Sequence, residues 1–523
     1  MRHLERGSEH MAPIGSLQRT GRLAGGVLED LKRRVLPWYG DDFRQGLHPK
    51  ALASVLFLFF ACLANAVAFG GLTELLTDGA IGTIEMIVVT AAGGVIFALF
   101  SGQPLTILGG TGPIVIFTGL LYAACQRFGL PFLTTYAWTG IWSGVFLIIL
   151  ALTDASAMMR LFTRFTDEIF AALIAVIFIV EAVKDAILPV FRQNGNSTLE
   201  LASLVLALMT YALARGMKRF TKTPYLRRTI RNLVSDFGPT LAIVIATAFS
   251  FLYADVPFDR PAVPDQLTTT TGRPWLVDLM SIPTWAIFAT IIPAFMATIL
   301  LFLDQNITSR LVNAPSYQLK KGGGFHLDLL VLGFIVLGAS IFALPWIVAA
   351  TVHALNHVKS LSEAEIVEVD GQRRERIVGV RENRLSALTI HILIGVSILL
   401  LPLIKLIPMA VLFGLFLYMG FVTLAGNQFF DRVTLWFTDR NLYPNTHYVR
   451  NVPRRIIHYF TAIQVACFAA LWILKSSPIG ILFPVLIALL APLRLWLDRF
   501  FKREHLQALD ADEDMDEAEI AVH

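Results

Sequence analysis

The sequence predicts an all-α polytopic membrane protein with fourteen transmembrane segments, arranged as a seven-plus-seven inverted repeat. Three observations predict this fold class: the composition, the recurrence of long apolar segments and the distribution of basic residues. Of the 523 residues, 55% are hydrophobic and only 16% are charged, and the mean hydropathy is +0.63. A soluble protein carries about 25% charged residues, so the composition indicates a membrane protein.

Apolar segments recur along the whole chain. A helix of about 20 apolar residues crosses a hydrocarbon core of about 30 Å. Seven such segments precede a long polar loop and seven follow it. They cover residues 51–72, 78–100, 104–125, 131–154, 168–190, 199–214 and 235–254, then 284–308, 326–343, 346–358, 387–403, 406–426, 456–474 and 478–496. With an odd number of spans in each half, the second half must cross the membrane in the opposite orientation.

The basic residues set the expected orientation. Most Lys and Arg residues fall in seven places, namely 1–50, 158–165, 215–231, 309–324, 357–384, 431–455 and the C-terminal tail. The excess of Lys and Arg in cytoplasmic loops places all seven, and therefore both termini, in the cytoplasm. We expect a multi-pass protein of the plasma membrane, or of the inner membrane in a bacterium, with the lipid bilayer as its surroundings and no nucleic-acid partner.

The same pattern predicts five regions. They are a cytoplasmic N-terminal arm (1–45), a first seven-span repeat (46–255), an extracellular loop (256–283), a second seven-span repeat (284–500) and an acidic cytoplasmic tail (501–523). The first 45 residues are basic and lack an apolar core with a cleavage site, so they are interpreted as an arm rather than a signal peptide. All three Cys residues fall in apolar segments, which indicates no disulfide framework.

The third and tenth apolar segments are unsuited to ordinary spans. The third contains "SGQPLTILGGTGPIVIF", with two prolines and three glycines after its first two residues, and the tenth is short, with Pro345 near its start. Interrupted segments at matching positions in two halves indicate a binding site at the midplane of an inverted repeat. The alternative is that Gly and Pro only permit close helix packing.

Such interruptions suit an anion site. Non-helical backbone survives at membrane depth only where it is buried or lines a watery cavity. A half-helix that starts there presents unpaired N–H groups and the positive end of its dipole, which favours an anion. We expect two such termini, near Gly110 to Gly112 and near Ala349 to Thr351, to face one another across the repeat interface.

Asp304 is the candidate cation ligand. If Arg310 marks the cytoplasmic surface, Asp304 lies about 9 Å deeper along a helix. A carboxylate held at that depth is costly and usually functional. With Thr308 one turn away it forms a hard-oxygen site suited to sodium, or takes up a proton. The alternative is a plain helix-end residue at the membrane interface.

Other polar residues give weaker signals. His353 and His357 are four residues apart, but no carboxylate or Cys accompanies them, so we predict no metal site. Glu181, Lys184 and Lys475 fall at the outer ends of apolar segments. The sequence contains no HExxH, Gly-x-Ser-x-Gly, CxxC or phosphate-loop motif, so neither an enzyme nor a cofactor is expected.

The quoted motifs, together with "FLDQNIT", "KKGGGFHLDL", "LPWIVAATV" and "IPMAVLFGLFLYMG", resemble those of the bicarbonate transporter family. This family contains anion exchangers and sodium bicarbonate cotransporters, and the resemblance extends over residues ~50 to 512. It implies a core domain and a gate domain, half-helices as the third and tenth segments, and a homodimer. Sodium-coupled members carry an Asp at the position of Asp304 in "FLDQNIT", so this chain resembles that branch. Anion exchangers instead resemble "FLESQIT" at these positions.

The resemblance implies roles for individual residues. The sodium ligands would be Asp304, Thr308 and Thr351. The anion site would be formed by Thr106, Thr111, Gly112, Ala350, Thr351 and His353. Lys184 and Lys475 match outward-facing lysines that react with stilbene disulfonates, and "LDADED" in the tail is similar to a proposed carbonic anhydrase docking motif.

The chain also departs from the sodium-coupled pattern. Exchangers place an Arg at the position of His353, where sodium-coupled members usually have an aliphatic residue. Those members also tend to have Ser-Ser at the positions of Gly109 and Gly110, and Glu at the position of Thr118.

The sequence and the resemblance together predict a secondary active transporter of bicarbonate or carbonate, coupled to sodium and working by an elevator-like movement. The alternatives are a chloride–bicarbonate exchanger, a borate exporter, or a membrane scaffold that has lost transport.

Overall fold

The computed structural model describes residues 17, 19–191, 197–253, 255–264, 266–369 and 372–511. The first half of this described chain is helical apart from one short strand. Its elements are α1 (Gly25–Asp30), α2 (Tyr39–Gly46), α3 (Pro49–Leu76), α4 (Thr83–Phe100), β1 (Leu108–Gly109), α5 (Gly112–Phe128), α6 (Phe132–Leu152), α7 (Arg164–Ala182), α8 (Ser197–Arg219), α9 (Arg228–Asp236) and α10 (Gly238–Ser250).

The second half adds three strands. Its elements are α11 (Thr284–Ala289), α12 (Ile291–Val312), α13 (Phe325–Ile341), β2 (Val348–Ala349), α14 (Thr351–Leu361), β3 (Ser362–Val369), β4 (Gln372–Val380), α15 (Leu385–Val396), α16 (Leu401–Ile404), α17 (Met409–Leu424), α18 (Gln428–Thr434), α19 (His447–Asn451), α20 (Arg454–Lys475), α21 (Phe483–Leu497) and α22 (Arg503–Asp510). Short 3₁₀ turns occur at Ala155–Leu161, Leu188–Phe191, Phe220–Lys222, Pro315–Tyr317, Ser397–Leu400, Arg440–Leu442 and Gly480–Leu482, and π turns at Leu31–Val35 and Val183–Ile187.

Eight helical segments of the described chain are long and apolar enough to cross a membrane. They are Pro49–Leu76, Thr83–Phe100, Phe132–Leu152, Thr198–Arg219, Thr284–Val312, Leu385–Ile404, Arg454–Lys475 and Gly480–Leu497. Two bent helix pairs, α9 with α10 at 68° and α17 with α18 at 79°, raise the number to ten. The predicted number was fourteen. The difference arises where α5, α13 and α14 are shorter than a full span and where α7 carries several carboxylates.

The helices form two bundles. The first bundle consists of α3–α6 and α12–α15, with α13 packed along α6 and α15 along α4. The second bundle consists of α7, α8, α10, α17, α20 and α21, with α17 packed between α7 and α8. Glycines allow close approach in both. A Cβ atom on Gly144 would lie 2.9 Å from the Gly333 carbonyl oxygen, and one on Gly414 would lie 2.3 Å from that of Ala207.

Two small antiparallel sheets depart from the all-α expectation. Strands β1 and β2 pair with each other deep in the first bundle. Strands β3 and β4 form a hairpin between α14 and α15. The sequence there, "SEAEIVEVDGQRRERIVGV", alternates apolar and charged residues. That period of two favours a strand, but the segment was interpreted only as part of a basic loop.

The N-terminal arm is attached to the first bundle through carboxylates. Asp154 accepts hydrogen bonds from the amides of Thr20 and Gly26, at 2.9 and 2.8 Å. Asp30 accepts from the amides of His326 and Leu327, at 2.9 and 3.2 Å, and so caps the start of α13. Burial raises the pKa of Asp30 to about 8. The arm is therefore a folded part of the structure from about Thr20 onward.

Asp42 joins three segments of the chain. Its carboxylate lies 3.0 Å from Arg34 Nη1, 2.7 Å from Lys321 Nζ and 3.1 Å from Arg384 Nε. The neighbouring Asp41, which is more exposed, also pairs with Lys321 at 2.7 Å, and this contact lowers the pKa of Asp41. The arm, the α12–α13 loop and the start of α15 therefore meet at one buried carboxylate.

The loop 256–283 is attached to both bundles. The Met409 amide at the start of α17 donates to the Asp259 carbonyl oxygen at 2.8 Å. Further along, the Thr270 amide donates to Glu85 at 2.8 Å, and the Arg273 guanidinium donates to the Phe342 carbonyl oxygen at 3.1 Å. The first part of the loop is thus held by the second bundle and the later part by the first bundle.

We expect Asp42→Ala to destabilise the protein strongly. It removes a carboxylate that contacts Arg34, Lys321 and Arg384 together, and breaking such a buried ion pair costs about 3–5 kcal/mol. Asp41→Ala is the matched control, with an expected loss of at most about 1 kcal/mol because Asp41 is partly exposed. Denaturant unfolding of the purified protein measures both. Equal losses in the two variants would show that Asp42 does not hold this junction together.

Candidate functional site

Two broken segments meet inside the first bundle. Strand β1 precedes α5 and strand β2 precedes α14, and the strands pair antiparallel, with Leu108 opposite Ala349 and Gly109 opposite Val348. The Ala350 amide adds a hydrogen bond to the Ile107 carbonyl oxygen at 2.9 Å. The two breaks expected in the third and tenth segments are therefore present, and they are joined to each other.

Each break is followed by a half-helix that starts within the bundle. Thr111 precedes α5 and Ala350 precedes α14, and both have extended backbone conformations. The first turn of a helix leaves its N–H groups without intrahelical partners and carries the positive end of the dipole. Because the strands before them are antiparallel neighbours, the two N-termini lie on either side of one small region.

The extended segment before α5 is held by side chains far away in sequence. Asp328 on α13 accepts from the amides of Gly102 and Gln103 at 2.7 and 3.0 Å. His357 on α14 hydrogen-bonds through Nδ1 to the Leu105 carbonyl oxygen at 2.9 Å. His391 on α15 places Nε2 3.3 Å from the Leu108 carbonyl oxygen. Only His357 among these three side chains was singled out in the sequence.

The segment before α14 is held in the same way. The Ala349 amide donates to Gln305 Oε1 at 3.3 Å, and the Trp346 amide donates to the Tyr136 hydroxyl at 3.1 Å. The rings of Tyr136 and Trp346 are stacked, with centroids 4.2 Å apart. Gln305 lies next to Asp304 in "FLDQNIT", so one turn of α12 both supports β2 and carries the candidate cation ligand.

Four oxygen-bearing side chains lie in two hydrogen-bonded pairs beside the half-helix termini. Asp304 Oδ2 accepts from the Thr111 hydroxyl at 2.9 Å. The hydroxyls of Thr308 and Thr351 are 2.6 Å apart, and Thr308 also donates to the Ala349 carbonyl oxygen at 3.3 Å. Asp304 is 9% exposed and α12 continues for two more turns beyond it, which argues against a helix-end residue in bulk water.

Two other predicted residues lie nearby but in different roles. The Ala350 amide donates to the Ile107 carbonyl oxygen, so it is not a free donor. The resemblance had implied that this residue contacts the anion. The Thr106 hydroxyl is buried, and it has no hydrogen-bond partner among the described residues. Thr106 lies in the extended segment, two residues before β1.

The two predicted histidines contact different parts of the bundle. His353, in the first turn of α14, places Nε2 3.2 Å from the Ala61 carbonyl oxygen of α3. His357 uses its second ring nitrogen for the Ser386 hydroxyl at 2.7 Å. Each ring is therefore engaged with protein groups, and the pair holds α14 against its neighbours.

Aromatic residues border the site on one side. Phe69 of α3 contacts Phe178 of α7 and Phe416 of α17, with ring centroids 5.7 and 6.0 Å apart, and Phe178 stacks on Phe416 at 5.8 Å. A Cβ atom on Gly112 would lie 2.6 Å from Phe178 Cζ. These rings come from both bundles, and the sequence gives no signal for them because each lies in an apolar helix.

A cavity of about 490 Å³ opens between the bundles at the end remote from the arm. It is lined by Glu74, Leu75, Asp78, Gly79, Asp185, Asp259, Arg260, Met409 and Phe413. Phe413 is one turn from Phe416 on α17, so this cavity borders the helix that carries the Phe416 ring. At the opposite end Arg310 of α12 forms an ion pair with Asp167 of α7 and donates to the Phe162 carbonyl oxygen at 2.7 Å.

The two predicted reactive lysines lie around one carboxylate. Lys184 Nζ is 3.5 Å from Glu181 Oε2, and Lys475 Nζ is 3.8 Å from Glu181 Oε1. Lys184 is largely exposed, whereas Lys475 is mostly buried and lies over the Trp472 ring. The structure brings α7 and α20 together here, at the end remote from the arm.

The acidic tail is described only at its start. Leu509 is buried, and Asp510 binds Arg494 at 2.6 Å and the Phe165 amide at 3.2 Å. The first two residues of "LDADED" are therefore engaged within the protein. Residues 512–523, which hold the rest of the proposed carbonic anhydrase motif, lie outside the described residues.

Comparisons with known proteins show which proteins this chain is similar to. A family profile described as "HCO3- transporter integral membrane domain" matches residues 22–198 and 188–514. The human electroneutral sodium bicarbonate exchanger 1 is 36% identical, with 96% of this chain and 52% of that protein covered. The electrogenic sodium bicarbonate cotransporter 1 of Rattus norvegicus is also 36% identical, with 94% and 53% covered. The chain thus spans about half the length of these curated relatives.

Solved structures support the fold alone, because their identities are low. The transmembrane domain of a cyanobacterium bicarbonate transporter, BicA, superposes with a TM-score of 0.59 at 16% identity, covering 84% of this chain and 98% of that one. The murine anion transporter Slc26a9 superposes with a TM-score of 0.58 at 14% identity, covering 91% and 71%.

We expect Gly112→Ala to disturb the start of α5. The added Cβ would overlap the Phe178 ring, and overpacking of this kind costs about 1–3 kcal/mol. Gly216→Ala is the control, because no atom lies within 4 Å of its Cβ position and Ala favours a helix by about 1 kcal/mol. Denaturant unfolding of the purified protein compares the two.

A second variant tests the cause of that loss. Phe178→Leu removes the overlapping ring edge but also the stacking on Phe416, so it should cost less stability in the Gly112→Ala background than in the unchanged protein. An equal cost in both backgrounds would contradict a clash at this ring.

Proposed function

The chain belongs to the family of HCO3− transporter integral membrane domains, and we propose that it is a secondary active transporter of bicarbonate or carbonate coupled to sodium. Members of this family are transporters rather than enzymes. Relatives named as sodium bicarbonate exchangers and cotransporters support both the substrate and the coupling ion.

One observation carries the proposal: the Asp304 carboxylate hydrogen-bonds Thr111 between two opposed half-helix N-termini. In our proposal sodium binds the oxygens of Asp304, Thr308 and Thr351. The anion binds beside it, at the first amides of α5 and α14 near Thr111, Gly112 and Thr351. Each ion then lowers the cost of holding the other in the membrane, because opposite charges attract strongly at low dielectric constant.

The architecture follows from the same proposal. The first bundle is the core domain and the second bundle is the gate domain, in fourteen spans related as two inverted repeats. Both termini and the arm are cytoplasmic, the loop 256–283 is extracellular, and the functional unit is a homodimer in the plasma membrane. The core domain moves against the gate domain like an elevator, and carries the two half-helices with it.

Four further residues have proposed roles. Thr106 and His353 border the anion region, in the extended segment and the first turn of α14. Lys184 and Lys475 lie at the extracellular end, where they are proposed to react with stilbene disulfonates. Contact with carbonic anhydrase is confined to the tail beyond Ala511, because Leu509 and Asp510 are engaged within the protein.

A second candidate function is sodium-driven exchange of chloride for bicarbonate. It is favoured by a relative of that name, the sodium-driven chloride bicarbonate exchanger of Bos taurus, which is 36% identical with 96% of this chain and 51% of that protein covered. Chloride would use the same half-helix amides as the carbonate anion. Dependence of bicarbonate uptake on chloride inside proteoliposomes distinguishes the two functions.

We expect sodium to drive uptake of labelled bicarbonate into proteoliposomes, and Asp304→Asn to abolish the sodium dependence. The Asn side chain keeps the size and one oxygen but removes the charge that balances sodium. Asp255→Asn, at an exposed loop position, is the control and should transport normally. Uptake that is unchanged when choline replaces sodium would disprove the coupling, and full sodium dependence in Asp304→Asn would disprove the site.

We expect Arg310→Leu to destabilise the conformation in which the two bundles are joined at the cytoplasmic end. Arg310 belongs to the first bundle and Asp167 to the second, so their ion pair joins the two parts that must move. Loss of a partly buried pair worth about 1 kcal/mol shifts a two-state equilibrium about fivefold. We expect slower maleimide labelling of Phe413→Cys from the outer solution, since the outer cavity is then open for less of the time.

Two comparisons make this measurement specific. Asp167→Asn should slow labelling to the same extent, and the double variant should add little to either single change. Arg381→Leu removes the ion pair with Glu363 within the first bundle and should leave labelling unchanged. An equal effect of Arg381→Leu would show that the Arg310 contact does not control the movement.

A further inference from the structure

The segment from the last turn of α8 to the end of α9 is a basic, exposed part of the described chain that the transport site does not use. Residues 215–236, the basic linker, carry seven Lys and Arg side chains and a single acid, Asp236. The side chains of Lys218, Arg219 and Arg227 are exposed to solvent. Such a concentration of one charge sign indicates a partner of the opposite sign.

Two of its arginines already have structural roles. Arg215 binds the Tyr211 hydroxyl, and its guanidinium lies 5.6 Å from the centre of the Tyr211 ring. Arg231 donates to the carbonyl oxygens of Tyr225 and Leu226, at 3.4 and 3.2 Å, and so shapes the turn before α9. Among the described side chains, the exposed cations Lys218, Arg219 and Arg227 are placed to bind a partner, and Lys218 also interacts with the nearby Asp236.

The basic linker also exposes large apolar side chains. Tyr225 is 69% exposed, Leu226 61%, Ile230 42% and Leu233 57%. Ile230 and Leu233 are three residues apart in α9 and therefore share one face of the helix. An amphipathic helix with a basic polar face and an exposed apolar face is typical of a segment that lies in a membrane interface.

The position of the basic linker agrees with this pattern. Helix α8 is a candidate span that ends at Arg219, so the linker starts where the chain leaves the hydrocarbon. Helix α9 makes an angle of 68° with α10, the helix that re-enters it. In this arrangement α9 runs close to the plane of the membrane surface, with Lys218 and Arg219 at the end of α8 and Arg227 directly before α9 near the level of the lipid headgroups.

We propose that the basic linker is a binding surface for anionic phospholipid headgroups. Lys218, Arg219 and Arg227 pair with the lipid phosphates, while Ile230 and Leu233 enter the boundary between headgroups and acyl chains. A second copy of the chain is a poorer occupant, because a two-fold contact through this surface would place one set of cations against the other. The proposal does not depend on which ion the protein transports.

The test measures lipid binding to the full chain purified in detergent. Native mass spectrometry during titration with dioleoyl phosphatidylglycerol, and separately with dioleoyl phosphatidylcholine, gives an apparent affinity for each lipid. We expect a preference for phosphatidylglycerol that falls at least about tenfold in the triple variant Lys218→Gln/Arg219→Gln/Arg227→Gln. Neutralising Arg499, Lys502 and Arg503, which are exposed near α22, is the matched control and should preserve the preference.

Further arms separate a lipid surface from a simple anion site. Free glycerol phosphate should not compete, because it lacks acyl chains, and Ile230→Ser/Leu233→Ser should weaken binding of the lipid while leaving all the cations in place. An equal loss in both triple variants would show unspecific charge attraction and overturn the assignment. Competition by free glycerol phosphate, or dimers that dissociate in the triple variant, would overturn it in favour of a free-anion site or a second copy.

Discussion

The antiparallel pairing of β1 with β2 is the interaction on which the rest of the structure depends. A chain that leaves the helical conformation within hydrocarbon must find a partner for every exposed backbone donor and acceptor. Two breaks that meet can satisfy part of this demand with each other, as the Ala350 amide does with the Ile107 carbonyl oxygen. Neither break is stable alone at that depth, so the two halves of the chain need one another.

The remaining backbone groups explain why so many polar side chains are buried in the first bundle. Asp328, His357 and His391 hold the segment before α5, and Gln305 with Tyr136 holds the segment before α14. A buried polar group without a partner is costly, so each of these side chains stabilises backbone that a helix would have satisfied internally. The groups left over at the half-helix N-termini are the ones available to a ligand.

The sequence predicted the breaks and pointed to Asp304 and Thr308, the proposed cation ligands, because both inferences depend on local patterns. Pro and Gly mark the loss of helix in "SGQPLTILGGTGP", and the spacing of Asp304 and Thr308 places them on one helical face. The hydrogen-bond partners of the broken segments could not be predicted from local patterns, since Asp328 and His391 bind residues more than 200 positions away. The Ala350 amide was misjudged for the same reason, because its acceptor depends on strand pairing.

The buried charges around Asp42 contribute more to the rigidity of the first bundle than to its net stability. Burying several ions costs much of what their attraction returns, so such a network adds little net free energy. The network instead fixes the relative positions of the elements that it joins. Arg384 binds Asp42 and also donates to the Ser101 carbonyl oxygen at 2.7 Å, directly before the first break, while Asp328 holds the next two amides. The arm, α4, α13 and α15 are thereby fixed around the same few residues. In the proposed transport cycle the first bundle must keep the ligands of both ions together as it moves, and this network gives it the rigidity to do so.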